Sequence, residues 1–186
     1  MRALLKSTFL IALTVLSLSA AAKDPRTPTP AVFEWSPGYR LSWDDFRGQA
    51  PAGSPRHEAA ITTCGMGYEI IPGQRGQDAT VRVYNAFYGA ESWVRTGHQA
   101  AYLLEHEQGH FDLCELYTRI LRDRIRRECA GCVGKSSARI SHIFDEVESA
   151  YHQRQLRYED ETAHGTIDEA QARWSRQIAA ELGAAM

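Results

Sequence analysis

Residues 106 to 110 read His-Glu-Gln-Gly-His, two imidazoles four positions apart with a carboxylate beside the first. On a helix, residues four apart lie one turn apart on the same face, so both rings can meet a single Zn²⁺. Glu107, turned by about 100° from His106, then reaches a water on the metal. Zinc lowers the pKa of such a water toward neutrality, and a carboxylate takes its proton as the oxygen attacks a carbonyl carbon. Composition alone produces this pattern in roughly 2% of shuffled chains. The flanking Leu103, Leu104 and Phe111 argue for more than chance, because they are apolar, as a half-buried site requires. Gly109 adds to this: a mid-helix glycine costs roughly 1 kcal/mol relative to alanine, so its presence implies that something packs close against the backbone there.

Two histidines leave a catalytic zinc one protein ligand short. His142 and His152 fall within a later helix, where a histidine is ordinarily a surface residue. Cys114 lies one turn past His110, but a thiol in an oxidising compartment pairs more readily with another thiol. The segment from Tyr158 to Gly165 gathers three carboxylates, a histidine and a tyrosine between two helical stretches. A helix-loop-helix corner can present a ligand to a neighbouring helix, so His164 is the first candidate for the third ligand, ahead of Glu161 and then Asp160. A solvated acidic turn is the plain alternative. Asp112, two residues after His110, is either a group that orients an imidazole or a solvent-exposed side chain.

The elements that would hold these residues follow from hydrophobic period. Between Tyr39 and about Gly89 the apolar residues come in short runs separated by Gly/Pro loops, which predicts antiparallel strands at 40–43, 60–71 and 79–88. After Trp93 the period lengthens. Thr96-x-x-Gln99 reads as a capping box for a helix from about Gly97 to Glu128, followed by helices from Ala138 to about Tyr158 and from Thr166 to about Leu182. Strands first and helices afterwards mean an α+β fold, with an antiparallel sheet packed on the helix that carries the motif. The strand ending at Tyr88 stands shortly before that helix, which makes it a candidate edge for pairing with an extended peptide. Trp43 and Trp93 read as core or core-rim residues, and Tyr158 as packing rather than as a donor to a developing oxyanion.

The chain has 186 residues, 44% of them hydrophobic and 24% charged, which suits one globular domain and leaves no need for a metal merely to make a core. Residues 1–22 read as a secretory signal: Arg2 and Lys6 flank an apolar run from Phe9 to Leu18 that is too short to span a bilayer, and small residues follow to Ala22. Cleavage there would leave 23–186 as a single domain beginning at Ala22 or Lys23, periplasmic or secreted, with no stable membrane insertion. Its mildly acidic balance gives no electrostatic reason to expect nucleic acid as a partner.

Four motifs in order resemble a bacterial family of exported proteins described as predicted zinc-dependent proteases. They are Ser42-Trp43-Asp44-Asp45-Phe46-Arg47-Gly48, Ser92-Trp93-Val94, the stretch from His106 to Leu113, and Glu161-Thr162-Ala163-His164-Gly165. The resemblance runs from about residue 33 to 175. It implies a zincin-like fold in which His106 and His110 bind Zn²⁺ and Glu107 acts on the water, and it strengthens the late His-Gly as the completing ligand. Export makes disulfides the default for the four cysteines, and the expected pairs are Cys64 with Cys114 and Cys129 with Cys132. The functional expectation is an exported zinc metallopeptidase acting on a peptide or protein. The alternatives are a non-catalytic envelope protein that binds zinc, and an amidase acting on cell-wall peptides.

Overall fold

The computed structural model describes residues 31–55, 58–74, 78–129 and 137–184. The signal-like segment 1–22 and Cys132 lie outside the described residues. The architecture is α+β. Strands β1 (Val32–Phe33), β4 (Thr80–Tyr88) and β3 (Cys64–Ile71) form one antiparallel sheet in the order β1-β4-β3, while β2 (Ala60–Ile61) and β5 (Trp93–Val94) form a second, two-stranded one. Three helices follow: α1 (Ala101–Glu128), α2 (Ser137–Thr162) and α3 (Asp168–Ala184). None of the described helices is long and apolar enough to cross a membrane.

Helix α1 is the centre of the fold. It packs on β3 and β4 on one side and on α2 and α3 on the others. Four consecutive residues, His106 to Gly109, are buried, so this stretch has no wet face on which the motif could sit as an ordinary surface pattern. Phe111 and Cys114 join Phe87, Leu41, Phe46 and Tyr151 in one apolar cluster; Leu121 and Ile125 meet Val83, Ile140, Ile143 and Val147 in another; Leu113 and Leu116 meet Tyr158, Trp174 and Ile178 in a third. Burial of each such side chain contributes roughly 1.5–3 kcal/mol, so the sheet, α2 and α3 each help to fix the helix.

Several boundaries differ from the expected ones. The run at 40–43 is no strand: Trp43–Asp45 form a short 3-10 turn, whose Ser42 backbone N–H donates to Asp45 Oδ2 at 2.7 Å. The run from 60 to 71 divides at Thr62 and Thr63, its halves pairing in different sheets. Strand β4, the expected edge, is the middle strand of its sheet, with both of its edges already paired. Helix α1 begins at Ala101 rather than Gly97, because Gly97 takes φ +84°, a left-handed conformation that no helix continues, and Gln99 Oε1 accepts the Gly97 N–H instead of capping. Helix α2 runs on through Thr162, four residues past the expected end. That extension decides the site.

The motifs upstream of α1 interlock to place it. A Cβ on Gly48 would meet the carbonyl oxygens of Ala90 and Ser92 at 2.8 and 2.9 Å, so only glycine lets the Ser42–Gly48 segment lie against residues 90–92. Ser92 Oγ accepts the Thr63 N–H at 2.9 Å, and the adjacent Thr62 Oγ1 donates to the Glu107 carbonyl at 3.3 Å. Asp112 accepts from the Trp35 indole at 2.7 Å and from Gln108 Nε2 at 2.9 Å. It therefore ties the N-terminal strap to α1 and neither orients an imidazole nor stands free in solvent. Cys64 and Cys114 are free thiols packed in one apolar cluster rather than the expected disulfide. Cys129 is disulfide-bonded.

Candidate metal centre

His106 and His110 project from α1 toward α2, and the carboxylate that meets them is Glu159. Glu159 Oε2 lies 2.9 Å from His106 Nε2 and 3.0 Å from His110 Nε2, and the two Nε2 atoms are 3.1 Å apart. Zinc bonds of about 2.0–2.1 Å at a tetrahedral centre place ligand atoms about 3.3 Å apart, close to this triangle. These three side chains form the one group among the described residues whose ligand atoms converge in this way.

Proton placement makes the case for a cation. His110 Nδ1 lies 2.7 Å from Gln155 Oε1, and the amide can face only that way because Gln155 Nε2 donates to the His110 carbonyl at 3.0 Å and to Tyr151 Oη at 2.9 Å. His106 Nδ1 faces Gln171 Oε1 at 3.2 Å, and Gln171 Nε2 likewise donates elsewhere, to Tyr158 Oη at 2.8 Å. Each imidazole thus carries its proton on Nδ1, leaving both Nε2 lone pairs and a carboxylate oxygen pointed at one another. Three acceptors within about 3 Å repel unless a proton or a metal ion sits among them. Burial works to lower the His110 pKa, but the Glu159 hydrogen bond and the charges of Glu107 and Glu159 outweigh it and raise it to about 9. Burial works to raise the Glu159 carboxyl, and the two imidazoles overcome it, holding it well below the usual carboxylate range. The site selects for positive charge.

Glu107 completes the arrangement. It is 3% exposed, and its Oε2 is buried with no protein partner. An orphaned buried carboxylate oxygen is costly, of order 1–3 kcal/mol or more, unless a group outside the protein satisfies it. It lines a cleft of about 200 Å³ together with His106, Glu159, Ala60, His98 and Tyr102. A larger hollow of about 390 Å³ lies between α1 and α3 and includes none of the three converging side chains. Chemistry, and not size, marks the smaller cleft.

The sequence-derived candidates divide accordingly. His106, Glu107 and His110 come together as expected. His164 does not join the converging atoms; its Nδ1 hydrogen-bonds Glu159 Oε1, the oxygen turned away from the two imidazoles, and so holds that carboxylate in place. Asp160 and Glu161 are exposed, and Glu161 accepts the Trp174 indole N–H at 2.9 Å. The reason is helical phase. With α2 continuing to Thr162, Gln155, Tyr158, Glu159 and Thr162 face α1, while Asp160 and Glu161 turn outward. A signal for this exists in the sequence: Tyr151, Gln155, Glu159 and Tyr158, Thr162 recur at four-residue steps.

The close packing that Gly109 implied is Tyr158. Its ring stacks on His106 at 4.7 Å and its hydroxyl donates to the His106 carbonyl at 3.0 Å. A Cβ on Gly109 would lie 2.2 Å from that hydroxyl. Gly165 is required for a similar reason: its φ is +76°, and a Cβ there would meet the Cβ of His106 at 2.7 Å. Ala163 and His164 share the left-handed conformation, at φ 45° and 58°, so α2 ends in a tight turn that brings His164 back onto Glu159. Gly109→Ala is expected to destabilise the fold by about 1–3 kcal/mol despite alanine's better helix propensity, because Tyr158 must move. Gly183→Ala, where a Cβ meets nothing within 4 Å, should be neutral or slightly stabilising. Chemical denaturation of the two variants checks the opposite signs.

Compared with known proteins, the chain matches no family model, no curated protein and no solved structure.

Proposed function

We propose that this protein is an exported zinc-dependent peptidase whose metal is held by His106, His110 and Glu159 and whose general base is Glu107. The observation that carries the reading is the buried, unpartnered Glu107 Oε2 in a cleft lined by two of the three converging side chains, His106 and Glu159. A structural metal site has no use for such an oxygen, whereas a hydrolytic one needs a carboxylate that touches a water and not the ion. Two imidazoles and one carboxylate with an open position are a donor set that suits catalytic zinc. Zinc held there supplies Lewis acidity, polarising a carbonyl and bringing the pKa of a water toward 7.

The chain's own groups supply the rest. Glu107 accepts a proton from the attacking water and returns it to the leaving amine. His164 fixes Glu159 by its outer oxygen, and Gln155 and Gln171 fix the imidazole tautomers, so the ligands are set before any ion arrives. Glu58, Ala59 and Ala60 line the cleft beside Glu107, so an extended peptide lying along β2 would bring a backbone carbonyl to the reacting position. The resemblance of the four sequence motifs to predicted exported proteases supports the same reading.

Metal analysis of the purified protein joined to turnover of a peptide library tests it. We expect one zinc per chain and cleavage that a chelator abolishes and added zinc restores. Bound zinc with no cleavage of any peptide would instead favour a non-catalytic envelope protein.

A further inference from the structure

Cys64 on β3 and Cys114 on α1 meet beneath the metal centre, one helical turn from His110. Both are free, and Cys64 packs against the apolar cluster that holds Cys114 and Tyr151. Cys64 Sγ also donates to the His110 carbonyl at 3.7 Å and lies 3.4 Å from the Tyr151 hydroxyl. Gln155 Nε2 already donates to that Tyr151 oxygen, so the Tyr151 proton points at the Cys64 sulfur. Gln155 Oε1 in turn receives the Nδ1 proton of His110. A continuous hydrogen-bonded path thus runs from the thiol pair through Tyr151 and Gln155 to the ring nitrogen that sets the His110 tautomer.

We propose that Cys64 and Cys114 are a reversible thiol–disulfide pair whose oxidation loosens the metal centre through Tyr151 and Gln155. The proposal rests on the metal-site reading above but not on hydrolysis. The oxidant is a low-molecular-weight disulfide. Cys64, as thiolate, attacks one of its sulfurs and expels one small thiol; Cys114 then attacks Cys64 Sγ, breaks the mixed disulfide and expels the second. The two thiol protons leave on the two released thiols, and the small disulfide is reduced by two electrons. A disulfide bond of about 2.05 Å pulls the two sulfurs from packed neighbours to covalent distance. Cys64 Sγ is thereby drawn from the Tyr151 hydroxyl and the His110 carbonyl, and both S–H donors are lost. Groups that orient a ligating histidine weigh about 10- to 100-fold in metal affinity, and the lower figure suits a loss two hydrogen bonds removed from the ring.

The test uses the full chain, reduced or treated with glutathione disulfide, and reads two quantities: the Cys64–Cys114 cross-link by mass spectrometry of proteolytic peptides, and the affinity for Zn²⁺ against a chromophoric chelator. The cross-link together with about a 10-fold weaker zinc affinity, reversed by reduction, is the expected result. Cys114→Ser should bind zinc equally under both conditions; because it keeps the Cys129 disulfide, it also reports any effect of that bond. Failure of the cross-link to form overturns the pair. A cross-link that leaves zinc affinity unchanged overturns the coupling and leaves only a staple between sheet and helix. Zinc binding in neither form overturns the metal site, and the proposal with it.

Discussion

Glu107→Gln should lower peptide hydrolysis by about 10² or more while leaving zinc content and the folded state in place. General acid–base groups contribute typically 10²–10⁴-fold, and the glutamine amide, similar in shape, cannot take a proton from water. Glu107 belongs to none of the converging ligand atoms, so its replacement removes chemistry without removing a metal bond. It is buried and has no partner on Oε2, so the loss of its charge breaks no protein hydrogen bond at that atom. Kinetics on the zinc-loaded variant, with metal content measured on the same sample, give the answer. Full activity with zinc bound would refute the assignment of Glu107 as the base.

Glu159→Ala should abolish tight metal binding, and here the contrast with its neighbours is the test. Loss of groups that merely orient a ligand already costs about 10- to 100-fold in metal affinity, which sets a floor of about 100-fold for removing the ligand itself. His164→Ala removes only the hydrogen bond to the outer Glu159 oxygen and should cost about 10-fold. Glu161→Ala breaks the bond to the Trp174 indole and should leave zinc affinity unchanged. Competitive zinc titration of the three variants ranks them, and a larger loss for His164→Ala than for Glu159→Ala would restore His164 as the third ligand. Removing Glu159 also deprives the buried His106 and half-buried His110 imidazoles of their carboxylate, so the His110 pKa should fall in that variant, since hydrogen bonding and charge from Glu159 help to hold it up.

His106, Glu107 and His110 were legible in the sequence because a five-residue spacing on a helix is a local fact: the 3.6-residue period alone puts them on one side. Gly109 likewise announced a close neighbour before that neighbour was known. The division into strands and helices was legible for the same local reason, from hydrophobic period, with errors where single residues override it, as Gly97 does at the start of α1. Which carboxylate meets the two imidazoles was decided only by the tertiary structure. Glu159 lies about fifty residues from the motif, and choosing it over Asp160, Glu161 and His164 depends on α2 keeping its helical phase to Thr162, which packing against α1 and α3 enforces: Tyr158 is fully buried between His106 and Trp174. A rotation of one residue, about 100°, carries a carboxylate from the imidazole pair to solvent. The state of Cys64 and Cys114 was decided in the same way: export predicts that they pair as a disulfide, and only with β3 laid against α1 do they stand as neighbouring free thiols.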